Sequence, residues 1–560
     1  MPSKNALKAQ KKRAEKLLKA GKLPQAGQAF YELCQADPGD AQTWFTFASI
    51  ASQLNHHKDA VSAYSRALHL NPNLAEANFG LASSLTALEQ YHEAEKNFRS
   101  FLLMQPNSGK GYYAYAQLLQ RWGRITEATE KYQKAAELIH DSAELCVSLS
   151  AILRLQGMFD EALTPLEQAR QLQPKDPNIY LALATLYRDT QHTEQALAHY
   201  EEALKLAPQH EAVYQYYLGT VYEGEGDEKQ ALIHYDNAIS LKPDLAEAHV
   251  NKALCLLLTE QYIEGWAEYE WRKKHPDWLK QRNHQVQGIP AWRGDSLPEK
   301  SVLVVTEQGY GDCFQFCRFL TPLSQQFAKV TVRCKPEVAA LLESVTGIHE
   351  VISISDEVDT TQFDVHVHMM SLPHLLGITL ENLPNTAPYL HAPAILTGQL
   401  QELMGTEGVK VGLAWSGSPA NPKNYIRKIS LAELAPLADI PNLRFFGLQK
   451  GPGSEQALTP PPNMTFTDLA DELHDFSHTA AAIENLDLII SVDSAIAHLA
   501  GALGKPVWTL LYSPPDWRYL MHREDSPWYP SMRIFRQNEE KSWAPVVQQV
   551  ASALRSIINT

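Results

Sequence analysis

The sequence predicts an α-solenoid followed by an α/β domain of two doubly wound halves. Three observations predict it. A self-similarity of 34 residues runs through the first 275 positions, short β-branched runs alternate with helix-length segments from about residue 301, and a stretch holding Pro384, Pro388 and Pro393 divides that second region in two. The expected organisation is a helical-repeat superhelix over 1–275, a linker over 276–300, a first α/β half over 301–395 and a second over 396–560.

The repeat is read from alanines. Ala26, Ala60, Ala94, Ala128, Ala162, Ala196 and Ala231 follow one another at steps of 34 residues, the last step being 35. Four residues after each stands Phe30, Tyr64, Phe98, Tyr132, Leu166, Tyr200 or Tyr235, and twelve after each stands Pro38, Pro72, Pro106, His140, Pro174, Pro208 or Pro243. Gly265 and Tyr269 fill the same slots once more before the period dissolves. A small residue lets two helices approach, the large residue four positions on shares its helix face, and proline stops the second helix. The pattern resembles the tetratricopeptide repeat, which implies seven to eight stacked helix pairs and a concave groove. Lys4 to Lys22, with eight basic residues and one acid, is read as the charged face of the first helix. Tyr112, Tyr113, Tyr115, Tyr214, Tyr216 and Tyr217 are divided between repeat packing and groove contacts.

Composition narrows the function classes. With 49 basic and 64 acidic residues the net charge is −15, a poor match for phosphate-backbone binding, so no nucleic-acid partner is expected. No run approaches the length of a membrane span, and the basic N-terminus lacks the apolar core of a secretory signal, so a cytoplasmic protein is expected. The six cysteines form no CxxC pair, and Cys313 and Cys317 are read as apolar packing on one helix face. His366 and His368 alternate on a strand without a third ligand at suitable spacing, so no metal site is expected.

In the second region, Ser301 to Glu307, Lys329 to Cys334, Val351 to Ser355 and Phe363 to Met369 read as strands of the first half. Lys410 to Trp415, Arg444 to Leu448, Met464 to Asp468, Leu486 to Val492 and Val507 to Leu511 read as strands of the second. Two such halves facing one another place ligands at the carboxyl ends of their strands. Neither first strand is followed by GxGxxG, and no GxxxxGK[ST] occurs, which disfavours dinucleotide and P-loop sites.

Four motifs stand at those strand ends: Gly309-Tyr310-Gly311-Asp312 through Phe316, Trp415-Ser416-Gly417, Gly447-Leu448-Gln449-Lys450-Gly451, and Val492-Asp493-Ser494 through His498 to Gly504. Together they resemble the motif series of heptosyltransferase-like (family 9) glycosyltransferases. Repeats ahead of such a region are similar to O-GlcNAc transferases and bacterial flagellin glycosyltransferases, with Gly265-Trp266 to Arg272 as the usual seam. The resemblance implies a GT-B fold of two Rossmann-like halves, acceptor side first and nucleotide-sugar side second.

The residues support a matching chemistry. Asp493 and Ser494 stand between a strand and a helix whose N-terminal amides suit a donor phosphate, and His498 lies one turn on. Both Asp493 and Ser494 also suit plain helix capping. Lys423, Arg427 and Lys428 follow Trp415-Ser416-Gly417 as candidate cations for a diphosphate, Arg427 and Lys428 being favoured by the resemblance. Ser416, Gln449 and Lys450 are candidates for the rest of the donor. Asp312, directly after Gly309-Tyr310-Gly311 in the first turn, is the candidate general base, the resemblance placing a catalytic aspartate there, and Gly309 and Gly311, which permit close approach of substrate, are candidate donor-binding residues. No pair of carboxylates marks a glycosidase. The expected activity is transfer from a nucleotide-activated sugar, a co-substrate rather than a cofactor, to Ser or Thr of a protein held by the repeats, with inversion and without metal. Flagellin is the acceptor suggested by analogy. A glycan- or lipid-directed transferase is one alternative. A non-catalytic scaffold is the other, kept open by Ala495-Ile496 where relatives often carry Gly-Pro.

Overall fold

The computed structural model describes residues 4–280, 286–418, 421, 424–451, 453–538 and 540–558. It divides into two compact units, Met1–Leu206 and Ala207–Thr560. Among the described residues no helix is long and apolar enough to cross a membrane.

The first unit is a run of antiparallel helix pairs, from Lys4–Lys19 with Leu23–Ala36 to Pro177–Asp189 with Thr193–Leu206. Every alanine of the 34-residue series is fully buried, and so is the large residue four positions on. The register is fixed by capping as well. Fourteen residues after their alanines, Asp40, Ser108, Ser142 and Asp176 each accept a backbone N–H of the helix they open. Each such cap is worth about 1 kcal/mol. Where His140 replaces proline the helix still stops, at Leu138. The close approach that glycine permits is visible at Gly80, where an added Cβ would fall 2.3 Å from the Tyr64 ring.

The second unit begins with two further helix pairs, Glu211–Glu225 with Glu228–Leu241 and Ala246–Leu258 with Tyr262–Tyr269. Sequence places these in the superhelix ending at 275. The packing of the second pair places it with the α/β domain instead, because Leu257, Tyr262, Trp266 and Tyr269 share one buried core with Phe314, Phe316, Trp517 and Trp528. Trp266 meets Trp517 and Phe316 edge-on and donates its indole N–H to the Ile378 carbonyl at 3.0 Å. Gly265 takes the alanine slot because Leu257 fills the space a Cβ would need.

The α/β part holds two parallel sheets. The first contains β1 (Leu297–Val305), β2 (Phe327–Cys334), β3 (Glu350–Ser353) and β4 (Val365–His368), in the order β3-β2-β1-β4. The second contains β5 (Val409–Ala414), β6 (Leu443–Gly447), β7 (Phe466–Asp468), β8 (Leu488–Val492), β9 (Val507–Leu511) and β10 (Met532–Arg536), in the order β10-β9-β8-β5-β6-β7. The strand order turns around between β1 and β4 in one sheet and between β5 and β8 in the other. Those are the two places where a doubly wound fold opens a crevice. β10 and the closing helix Trp543–Ile558 go beyond the strands read from sequence.

Candidate active site

In the second half, β5 ends in Trp415-Ser416-Gly417 and β8, its neighbour, ends in Asp493-Ser494. A cavity of about 370 Å³ opens there. Ser416, Gln449, Lys450 and Ser494 line it on the side of the second half, and Tyr310 and Glu337 face them from the first. Gln449 is buried and spends its amide oxygen on the Ser416 N–H at 2.9 Å, which fixes the loop after β5. The Lys450 ammonium donates to the Leu473 carbonyl. Ser494 caps the helix Ala495–Ala502, accepting from the Ile496 N–H at 3.2 Å. Ala495 and Ile496, in the first turn of that helix, also line the cavity, and a helix N-terminus favours an anion.

Beneath this surface lies a charged network. Asp493 is 4% exposed, accepts the Tyr519 hydroxyl at 2.8 Å on Oδ1 and pairs with Arg427 at 2.9 Å through Oδ2. Burial pushes its carboxyl pKa up against the pull of Arg427. Arg427, at the end of the short helix Asn424–Arg427, also donates to the Asp493 carbonyl. Its partners keep the guanidinium charged despite burial. Lys428 does not join the site: it follows the last residue of that helix, is exposed and does not line the cavity. Lys423 lies outside the described residues.

His498 is also off the cavity. It is buried behind Asp493, its Nδ1 in a 3.0 Å hydrogen bond with the Tyr529 hydroxyl and its Nε2 3.9 Å from Asp493 Oδ1. Burial, with Arg518 next, pushes its pKa down to about 3, so the ring is neutral. Gly311 packs against this same ring. A Cβ there would stand 2.8 Å from His498 Cδ2, so the glycine serves the close approach of the helices Tyr310–Phe316 and Ala495–Ala502 rather than a donor phosphate. Gly309 opens its helix, its N–H bound to Asp312 Oδ2 at 3.0 Å.

The other Asp312 oxygen, Oδ1, is paired with Arg518, a residue that sequence reasoning missed. Arg518 reaches three partners at once: Asp312, Gln315 Oε1 at 2.6 Å and Asp516 Oδ1 at 2.8 Å. For Asp516, burial pushes the pKa up, but Arg518 outweighs it and the carboxyl stays low. Asp516, Arg518 and Tyr519 follow Ser513-Pro514-Pro515 just after β9. Their signal was position: polar residues on a proline-bearing loop at the carboxyl end of a strand. Of the residues read from sequence, Ser416, Gln449, Lys450 and Ser494 line the cavity, Arg427 and Asp493 pair beneath it, and Asp312, tied to Arg518, is not among its lining residues.

Against known proteins, residues 442–552 match the model of glycosyltransferase family 9 (heptosyltransferase). Residues 41–74 and 153–217 match tetratricopeptide repeat models. The chain carries tetratricopeptide repeats and a family 9 glycosyltransferase domain. The family 9 match takes in Gln449, Asp493, Ser494 and Arg518 and begins after Asp312, Ser416 and Arg427. Protein FlbA of Caulobacter vibrioides is 29% identical over 341 residues, 56% of this chain and 55% of that protein. The chain therefore spans about half the length of this curated relative. Among solved structures, YrrB, described as a TPR protein with an unusual peptide-binding site, is similar at 25% identity over 33% of this chain and 95% of that chain, with a TM-score of 0.30. A tetratricopeptide repeat protein from Parabacteroides merdae is similar at 16% identity over 45% of this chain and 99% of that chain, with a TM-score of 0.37.

Proposed function

We propose that the chain transfers a sugar from a nucleotide-activated donor to Ser or Thr hydroxyls of a protein acceptor held by the repeats, flagellin being the first acceptor to test. The observation that carries the reading is the cavity at the β5–β8 crevice, with a helix N-terminus at one end and the family 9 match around it. The donor phosphate sits against the first turn of Ala495–Ala502, where unpaired amides and the helix dipole stabilise the charge that grows on the leaving group. Arg427 offsets the Asp493 charge behind that turn, so that the carboxylate does not repel the phosphate. Gln449 and Lys450 hold the nucleoside end.

Across the cleft, Asp312 takes the proton of the attacking hydroxyl, and attack from the face opposite the phosphate inverts the sugar carbon. Arg518 pairs with that carboxylate and aims it until the acceptor arrives. No metal enters this scheme. The test is incubation of the full chain with single nucleotide sugars and purified flagellin, read by intact mass and peptide mapping. One glycosyl increment per modified Ser or Thr, abolished in Asp312→Asn, is the expected result. Sugar transfer to lipid or free glycan but not to any protein overturns it.

A further inference from the structure

The first sheet has its own crevice, between β1 and β4, and the chain fills it from within. Beyond the last repeat helix, Arg272 is 3% exposed and donates through one nitrogen to Glu307 Oε1 at 2.5 Å, at the tip of β1, and to Ser371 Oγ at 2.8 Å, just past the tip of β4. Its other terminal nitrogen holds Glu270 at 2.7 Å. Trp278 donates its indole N–H to the second Glu307 oxygen at 2.8 Å and lies edge-on to His368, the last residue of β4. Tyr269 accepts the Gln308 amide at 2.8 Å on its hydroxyl. Gln308 needs the help: its φ is +64°, a left-handed backbone for a residue with a side chain.

Glu307 and Gln308 lead directly into Gly309 and Asp312. We propose that Arg272, with Tyr269 and Trp278, is the positioning device for the Asp312 turn, so that the end of the repeat region sets the geometry of the proposed base. The inference rests on the transferase reading for its kinetic arm only. Glu307 is wholly enclosed, and each of its oxygens is held by a residue from 270–280. A ligand at this crevice would have to displace both. The first half therefore presents the turn, not the crevice, to whatever enters the cleft.

The test uses the full chain and separates positioning from stability. Arg272→Met leaves the buried Glu307 charge without its cation, Glu307→Gln takes one of the two carboxylates from the buried Arg272, and each lowers the melting temperature. The double variant removes both charges and recovers most of that loss, as neutral replacements of buried ion pairs often do. In the double variant, hydrogen exchange at the Gly309 and Cys313 amides, which close the turn, rises at least tenfold, and kcat falls at least tenfold with the donor KM within threefold. Recovered stability with wild-type exchange at those amides overturns the proposal. If the wild-type chain transfers no sugar, the function reading fails while the exchange arm still decides this one. If the double variant does not fold, Tyr269→Phe serves: it removes only the contact to Gln308, and unchanged exchange at Gly309 overturns the proposal.

Discussion

Gly311→Ala separates two roles for one residue. The Cβ would lie 2.8 Å from His498 Cδ2 and 3.5 Å from the Ala495 Cα, against an ordinary carbon contact of about 3.5–4.0 Å. The ring cannot retreat. Its Nδ1 is bonded to Tyr529, and Tyr529 is itself packed on Gly501, where a Cβ would come within 2.4 Å. Overpacking of this kind costs about 1–3 kcal/mol, offset by about 0.4–1 kcal/mol because alanine restricts the unfolded chain. Net destabilisation of about 1–2 kcal/mol is expected. In a His498→Ala background the obstacle is gone and the same substitution becomes neutral to stabilising, a coupling of about 1–3 kcal/mol. Tryptophan fluorescence during urea unfolding is the assay. Nine of the eleven tryptophans lie in 207–560, so the signal reports on the right unit. Equal cost in both backgrounds would refute the packing argument. Unchanged stability with weakened nucleotide binding would restore the donor-binding role expected from sequence.

Stability depends on pH through His498. Its folded pKa of about 3 lies below the unfolded value near 6.5, so between those limits the unfolded state binds the extra proton and stability falls as pH falls. At pH 5 this residue alone costs about 2 kcal/mol, while Asp493, whose carboxyl is pushed up, acts in the opposite sense at the acid end. Urea midpoints at pH 7.5 and 5 should therefore diverge less in His498→Gln than in wild type, and equal divergence counts against the assignment. Trp266→Ala should cost about 3–5 kcal/mol, since the ring is 1% exposed among Trp517 and Phe316, and a loss under about 1 kcal/mol would show that the repeat end is not part of the catalytic core. Arg518→Lys keeps the charge but cannot span Asp312, Gln315 and Asp516 together. Misplacement of Asp312 should then lower kcat by roughly tenfold to a hundredfold with substrate KM little changed, and wild-type kcat would exclude Arg518 from the site.

The periodic parts of this fold were legible because burial imposes a period. A residue every 34 positions had to be small, and those alanines are fully buried. The strands β1 to β9 were legible because each is a β-branched or aromatic run bounded by turn residues. β10 is different: Met532–Arg536 is a short run interrupted by two arginines at the sheet edge, behind a tryptophan- and proline-bearing loop with no period at all. The same loop hid Arg518 and Tyr519. Helix and strand ends announce themselves by capping and hydrophobic spacing, whereas a side chain that reaches Asp312 from 206 positions away leaves no local trace. Lys428 shows the reverse error. Charge type and loop position favoured it equally with Arg427, and only burial against Asp493 tells them apart.

A repeat's sequence says what it packs against within itself, not which neighbour takes its outer face. The period ends near 275, so sequence puts the boundary there. The last helix pair, Ala246–Leu258 with Tyr262–Tyr269, nevertheless gives its large residues to the α/β core, and the segment that follows gives Arg272 and Trp278 to the turn bearing Asp312. Removing 1–275 would strip Trp266, Tyr269 and Arg272 from that core and abolish transfer whether or not the repeats bind an acceptor. A cut after Leu206 follows the division between compact units. It leaves the buried ion pair, the Gln308 turn and the cavity intact. Loss of protein modification with nucleotide-sugar turnover retained in a 207–560 chain would assign acceptor docking to the first unit; full modification by that chain would take the docking role away from it.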